Sequence, residues 1–335
     1  MKLWLVFILL HLPLESAFLK KRLDSILNQS YQNFEVIILD DFSSDNSRDI
    51  IETYIHHPRI TKTIYNSRNS GSTFYQWNKG IELATGELVW IAESDDTADP
   101  KLLEILVKPF EENKNLVLAY CQSNRMNDND EITGTWLDWA DPLDQEQNFK
   151  NNFFMNGQDY IEKYLIHKNT VPNASAVIFK KEVYQSLGGA IPELKTTGDW
   201  EVWLKILSVG DLFYYALPLN NFRYHSNSVI AKFSAASKVT DSRNQIIAMY
   251  NSYIIFLKKI NNYKLLLESE NQKNFYLKKQ VTYKIRKHIF TGLGDDIKMA
   301  LTNNWLINAF FLIKVCLQIF YFSSIKLLVD KLQSK

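Results

Sequence analysis

The sequence predicts an α/β fold: a mostly parallel central sheet flanked by helices, followed by a C-terminal helical extension. Three observations carry this expectation. Through the first two-thirds of the chain, apolar runs of strand length alternate with segments of helical period. The strand runs are almost continuously apolar, as strands covered on both faces of a parallel sheet must be. The charge then changes sign along the chain. Residues 1–231 hold 21 Lys and Arg against 31 Asp and Glu, whereas residues 232–335 hold 17 against 6. An acidic front and a basic tail point to two parts with different surroundings, divided here as a domain over 1–230 and a helical region over 231–335. An apolar content of 46% over 335 residues is enough for a substantial core and excludes a disordered chain. Two cysteines, Cys121 and Cys316, with no CxxC spacing suit a reducing compartment.

The elements follow in order. The run Leu3–Leu10 reads as a first strand; no small-residue cleavage site follows it, and it is well short of the ~20 residues that span a bilayer. Residues 18–29 form an amphipathic helix with Leu19, Leu23, Ile26 and Leu27 on one face. "FEVIILDD" is a buried strand, and "SSDNSRDIIETYI" a helix with an Asp/Ser-rich start. "RITKTIYN" is strand-like, "TFYQWNKGIELATG" a helix closed by Gly86, and "ELVWIAESDD" the next strand. "ADPKLLEILVKPFEEN" is a helix with Asp99 at its cap and Pro100 in its first turn. "LVLAYC" is a fifth strand, the stretch from 122 to 170 is irregular, "ASAVIFKK" resumes a strand, "GDWEVWLKILSVG" is a helix and "LFYYAL" a strand.

Two of these strands end in carboxylates: Asp40, Asp41 and Asp45 after one, Glu93, Asp95 and Asp96 after another. In an open α/β sheet ligands bind beyond the carboxyl ends of the strands, so the two clusters are expected to share a crevice. Like charges at such spacing raise one another's pKa unless a cation neutralises them. Mg²⁺ or Mn²⁺ is a fitting cation, since such ions bind through one or two carboxylates together with substrate phosphates. A solvated loop with helix-capping duty is the plainer alternative for such an acidic run.

The segments "FLKKRLDSILNQSYQNFEVIILDDFSSDNS", "NSGSTFYQWNKGIELATGELVWIAESDD" and "GDWEVWLKI" occur in the order and spacing of family-2 glycosyltransferases of the GT-A fold, which residues 18–229 resemble. The resemblance implies that Asp40 and Asp41 hold the base and ribose of a nucleoside-diphosphate sugar. It implies that Asn69, Gly71, Asn78 and Lys79 line the nucleotide pocket. The family's D-x-D motif reads Glu93-Ser94-Asp95 here, so Glu93 is assigned to the donor and Asp95, with Asp96 beside it, to Mn²⁺ or Mg²⁺. Asp199 stands where the family carries its catalytic base, with Gly198 in place of the usual preceding acid; it could equally cap its helix. In "NFRYHSNSV", Arg223 is implied as a phosphate partner and His225 as a metal ligand. The polar turn that normally follows the family's first strand is replaced by "HLPLESAF".

The tail holds six Lys and Arg between Lys273 and Lys287, interleaved with aromatics, and an apolar stretch over 304–322 broken by Asn308, Lys314 and Gln318. Basic residues beside an apolar helix favour peripheral contact through 273–322 with an anionic membrane face; a helical cap on the catalytic domain is the alternative. No nucleic-acid motif accompanies the charge, and no nucleic-acid partner is expected. The sequence therefore predicts an inverting, metal-dependent glycosyltransferase acting in cell-surface polysaccharide or glycolipid synthesis. It would use a nucleoside-diphosphate sugar donor and a saccharide or lipid-linked acceptor, in the cytoplasm or on the inner face of the membrane. A catalytically inactive binding module of the same fold stays open beside it. A sugar-1-phosphate nucleotidyltransferase would want a Gly-rich phosphate loop that "HLPLESAF" does not supply.

Overall fold

Apolar continuity decides the centre of the sheet. Strand β1 (Leu5–His11) lies between β2 (Phe34–Asp40) and β4 (Leu88–Glu93), parallel to both, with Leu5 opposite Phe34 on one side and Leu88 on the other. The computed structural model describes residues 5–11, 16–224, 239–287, 293–300, 311, 313 and 315–317, with the backbone alone for 5–11, 239, 240 and 286. The chain divides into two compact units, Met1–Ala236 and Ser237–Lys335.

In the first unit α1 (Ser16–Leu27) follows β1, α2 (Ser47–Glu52) follows β2, and β3 (Ile60–Tyr65) pairs in parallel with β2. Helix α3 (Thr73–Leu83) precedes β4, and after β4 come β5 (Thr97–Ala98), α4 (Leu102–Glu112) and β6 (Leu116–Met126). The region from 122 to 170 holds the hairpin partner β7 (Ile132–Thr135), short helix α5 (Leu137–Ala140), β8 (Phe153–Met155) and α6 (Gly157–Tyr160). Then follow β9 (Val177–Lys180), α7 (Lys181–Ser186), α8 (Gly198–Leu207) and the long strand β10 (Asp211–Arg223). The sheet order is β3-β2-β1-β4-β9-β6-β10-β5, with β7 on β6 and β8 on β10.

This is the α/β architecture the alternation predicts: β1, β2, β3, β4, β6 and β10 pair in parallel, and four short strands join antiparallel. β9 runs antiparallel to both β4 and β6, and β5, β7 and β8 are antiparallel additions. Nothing in "AVIF" could reveal its direction, because a strand buried on both faces is apolar whichever way it runs. Leu19, Leu23 and Ile26 of α1 pack with Trp90 and Ala92 of β4 and Leu102, Leu103 and Leu106 of α4 in the principal core.

Two helix ends differ from expectation for a local electrostatic reason. Helix α3 stops at Leu83, not at Gly86, because Ala84 turns extended. The Glu35 carboxylate accepts hydrogen bonds from Thr85 N at 2.7 Å and Gly86 N at 3.3 Å, which holds the turn off the helical path. Helix α4 starts at Leu102 with Lys101 at its cap, not Asp99. Residues 97–98 are taken by pairing with β10, Asp99 N donates to Leu219 O, and Gln29 Oε1 accepts from Leu103 N at 3.0 Å in the role of a cap.

The second unit is helical: α9 (Val239–Lys259), α10 (Tyr263–Arg286) and α11 (Leu293–Ala300). Its core gathers Ile247, Leu277, Val281, Ile285, Leu293, Ala300 and Val315, and an ion pair at 2.5 Å between Lys284 and the buried Asp296 ties α10 to α11. Among the described residues no helix is long and apolar enough to cross a membrane; most of 304–322 lies outside them. Cys121 is buried, Cys316 is exposed, and both are free thiols.

Candidate active site

Helix α3 is the frame of the site, and consecutive side chains on it reach each part. Gln76 Nε2 donates to Asp41 Oδ1 at 2.9 Å, Trp77 Nε1 to Glu93 Oε1 at 3.4 Å, and Lys79 Nζ to Asn66 Oδ1 at 2.7 Å. Phe74 lies against Gly198 at the start of α8: a Cβ on Gly198 would sit 2.4 Å from the Phe74 ring. That contact explains why the acid expected before Asp199 is replaced by glycine. Through α3 the structure connects Asp41, Glu93 and the segment bearing Asp199.

The β2 end is an acidic cluster already satisfied by its own chain. The Asp41 carboxylate accepts from Asn66 Nδ2 at 2.7 Å, Ser70 N at 3.0 Å, Ser70 Oγ at 2.7 Å and Gln76. Asp40 pairs with Arg48 at 2.6 Å and accepts from Ser43 N. Both aspartates are almost fully enclosed, with 0% and 1% exposure. Through these bonds the Asp40 carboxylate holds the loop after β2. Asn69 follows the same logic, donating to Asp41 O and accepting from Gly71 N at 2.8 Å. Gly71 has φ +80° with open space where a Cβ would stand, so the turn, rather than a close approach, demands glycine. Asn78 is spent on Ala190 and Tyr184: it donates to Ala190 O at 2.9 Å and accepts from the Tyr184 hydroxyl at 2.6 Å.

The β4 end is different. Glu93 is pushed up to about 8 by desolvation and by the neighbouring charges of Asp95 and Asp96. Asp96 is buried and raised by desolvation and by Asp95. It accepts from Arg223 N at 2.9 Å and Asn173 Nδ2 at 3.2 Å, and Glu93 N donates to Ser175 Oγ at 3.1 Å. Two carboxylates pushed toward protonation mark a centre short of positive charge. Among the described residues no three Asp, Glu, His or Cys side chains gather as a metal cage. The donor set fits the other mode, one or two carboxylates completed by substrate phosphates. His225 lies outside the described residues.

Arg223 is wholly buried and fully engaged. Its Nε donates to Asp95 O at 2.8 Å, one terminal nitrogen to Asn127 O at 2.6 Å and the other to Asp130 at 2.5 Å. These bonds clamp the Asp95–Asp96 turn to the β6–β7 hairpin.

Asp199 sits in the first turn of α8, whose cap is Thr197, so it does not serve as the cap. It is pushed up to about 6 by desolvation, and Asn169 Nδ2 donates to it at 3.0 Å. The Asn169 carbonyl also accepts from Trp139 Nε1 at 2.7 Å, which places the half-exposed Trp136–Trp139 pair beside this carboxylate. A cavity of about 390 Å³ lined by Lys114, Asn156, Gln158 and Asp211 lies where β6 and β10 begin, the opposite end of the sheet from the carboxylates.

Several site residues carry no sequence signal: Asn169, Asn173 and Ser175 lie in a polar stretch without period. Phe42 follows Asp41 in the left-handed region at φ +67° and is 48% exposed, unusual for a bulky residue. Arg22 had a signal, since it falls at i+3 from Leu19 on the apolar face of α1.

The sheet with carboxylates at its strand ends has the architecture of a GT-A-type glycosyltransferase. The family model described as glycosyl transferase family 2 matches residues 14–184, and the chain belongs to that family. Glycosyltransferase GlyG of Streptococcus pneumoniae is 28% identical over 143 residues, 43% of this chain and 41% of its own length. TuaG of Bacillus subtilis, assigned to teichuronic acid biosynthesis, is 26% identical over 223 residues, 66% of this chain and 80% of its own. The fold is similar to S. aureus TarS in complex with UDP-GlcNAc, with a TM-score of 0.63, 16% identity, and 90% and 82% of the two chains covered. It is also similar to the mannosyltransferase PcManGT of Pyrobaculum calidifontis in complex with GDP-Man and Mn²⁺, with a TM-score of 0.51, 15% identity, and coverage of 95% and 87%.

Proposed function

We propose that this glycosyltransferase moves a sugar from a nucleoside diphosphate to an acceptor hydroxyl with inversion, in the synthesis of a cell-surface polysaccharide or glycolipid. The observation that carries the reading is the charge-poor acidic centre at the end of β4, joined through α3 to a second carboxylate, Asp199, whose pKa stands near 6. Mn²⁺ or Mg²⁺ held by Asp95 with Glu93 or Asp96 would neutralise the leaving diphosphate. Asp199 takes the proton of the acceptor hydroxyl, a task suited to a carboxylate raised toward neutral pH. Asn169 orients it, and the Trp136–Trp139 lip lies on the acceptor side.

Asp41 acts by fixing residues 66–76, whose Asn69, Gly71 and Lys79 border the nucleotide, and Phe42 offers an aromatic face to the base. TarS and PcManGT, solved with UDP-GlcNAc and GDP-Man, support a sugar-nucleotide donor, and TuaG's assignment supports a polysaccharide setting. Peripheral membrane contact through the second unit belongs to the same proposal, on the strength of exposed Leu267 and Phe275 beside the basic residues of α10.

Metal-free protein incubated with a donor panel, with Mn²⁺ added back, tests the reading. Metal-dependent transfer or donor hydrolysis is expected, and absence of both turnover and donor binding contradicts it. A second reading, an inactive binding module, is motivated by Gly198 in the position of the usual acid. Donor binding without turnover in the wild type would favour it.

A further inference from the structure

Arg22 is the anomaly of the first unit. It lies on α1 at 0% exposure, and among the described residues none of its three guanidinium nitrogens has a hydrogen-bond partner. It shares the buried face of α1 with Leu19, Leu23 and Ile26, and the Trp90 ring lies 5.0 Å from the guanidinium carbon. A buried charge without partners is among the costliest features a fold can carry, and buried polar groups are otherwise almost always satisfied. Some other interaction must therefore hold it there.

The charges it faces are those of the acidic centre. Desolvation depresses Arg22 to about 10, and Asp96, Asp95 and Glu93, in that order, oppose the loss of its proton. It stays a cation at neutral pH. Its position explains the geometry. Trp90 and Glu93 are three residues apart on β4, so their side chains project from opposite faces of the sheet. Arg22 thus approaches the carboxylate turn from the α1 face, while Trp77 on α3 meets Glu93 from the other. Trp90 fixes the arrangement further, since its Nε1 donates to Ser175 O at 2.7 Å, and Ser175 Oγ accepts from Glu93 N. Arg223, the other buried arginine near the turn, already has its ion-pair partner in Asp130.

We infer that Arg22 is the resident cation of the acidic centre, a positioning residue that holds Glu93, Asp95 and Asp96 together in the ligand-free protein and weakens the centre's affinity for a divalent ion until a donor diphosphate arrives. The inference rests on the proposed reading of this centre as the metal–diphosphate site. A centre partly neutralised from within binds a free ion less tightly, so the ion is retained chiefly when phosphate oxygens complete its shell. The residue acts through its charge on the carboxylates and touches neither donor nor acceptor.

The test uses the full chain stripped of metal and Mn²⁺ alone as probe, with free Mn²⁺ followed by electron paramagnetic resonance. Arg22→Met should bind Mn²⁺ more tightly than the wild type by about tenfold or more, the scale of one unit charge acting at an effective dielectric near 20. Arg22→Lys should restore wild-type affinity. Unchanged or weaker Mn²⁺ binding by Arg22→Met, with its circular dichroism intact, overturns the inference. A metal-free stability cycle provides the second readout. The fall in Tm caused by Arg22→Met should shrink in an Asp95→Asn background, because one fewer carboxylate then needs the cation. Additive effects, or failure of both Arg22→Met and the double variant to fold, also overturn it. If the wild type binds no Mn²⁺ at all, the metal reading of the site fails separately, and the stability cycle alone decides the role of Arg22.

Discussion

The two acidic strand ends of this sheet look alike in sequence and differ in the folded chain. At the end of β2, Asp40 and Asp41 are enclosed by donors from Arg48, Asn66, Ser70 and Gln76. At the end of β4, Glu93 and Asp96 are pushed toward protonation by burial and by the charge of Asp95. A carboxylate whose lone pairs are filled from its own chain holds structure. A cluster whose charge is only partly compensated is where an external cation or ligand gains most. On the proposed function, the difference divides the acidic residues into a scaffold and a reaction centre.

The largest effect should come from the reaction side. Asp199→Asn is expected to lower turnover by about 10²- to 10⁴-fold, the usual contribution of a general base, with donor binding retained. In the wild type the rate should fall as pH drops through about 6, where the Asp199 carboxylate takes up a proton and can no longer accept one. Unchanged turnover in Asp199→Asn removes this residue as the base.

On the scaffold side the loss should appear as stability. Asp41→Ala leaves Ser70, Asn66 and Gln76 donors without their acceptor, and should cost about 3 kcal/mol or more, on the scale of 1–3 kcal/mol for each buried polar group left unsatisfied. Denaturant unfolding checks it. A smaller loss, about 1–2 kcal/mol at neutral pH, is expected for Glu35→Gln, which weakens the clamp on the α3–β4 turn. Burial opposes ionisation of Glu35, but hydrogen bonds from Thr85, Thr61 and Gly86 more than offset it and hold its pKa below the usual range. A depressed carboxylate stabilises the fold above its unfolded pKa and loses that contribution as pH falls through its folded value. The gap between wild type and Glu35→Gln should therefore close in acid; a gap independent of pH contradicts the clamp.

The smallest expected stability change is at Phe42. Glycine suits φ +67°, so Phe42→Gly should shift stability by less than about 1 kcal/mol, relief of left-handed strain offsetting the entropy of glycine. Donor affinity should nevertheless fall if the exposed ring meets the base. Equal affinity in titration calorimetry would remove Phe42 from the nucleotide site.

Much of the architecture was legible because burial on both faces leaves an apolar signature: β1, β2, β4 and β6 could be read from their runs, and the carboxylates at their ends from sheet topology. The antiparallel direction of β9 was not legible, since alternation and hydropathy are blind to strand polarity. Helix ends shifted where a distant side chain took a terminal amide, as Gln29 does for Leu103 and Glu35 for Thr85. Within the site, residue type revealed where carboxylates gather but not which are satisfied. Asp41 and Asp95 read alike until their partners are seen. Arg223 reads as a phosphate ligand, although three acceptors from its own chain occupy it. Arg22 was visible as a charge on the apolar face of α1, a pattern that points to a buried ion but not to the acids it serves.

Titration of a sugar-nucleotide donor into metal-free protein, with and without Mn²⁺, for wild type and Asp95→Asn tests the division between scaffold and reaction centre most directly. Binding to the wild type should require Mn²⁺, and Asp95→Asn should lose it while unfolding at the same denaturant concentration. Equal donor affinity and equal Mn²⁺ dependence in Asp95→Asn would contradict the assignment of the β4 end as the reaction centre.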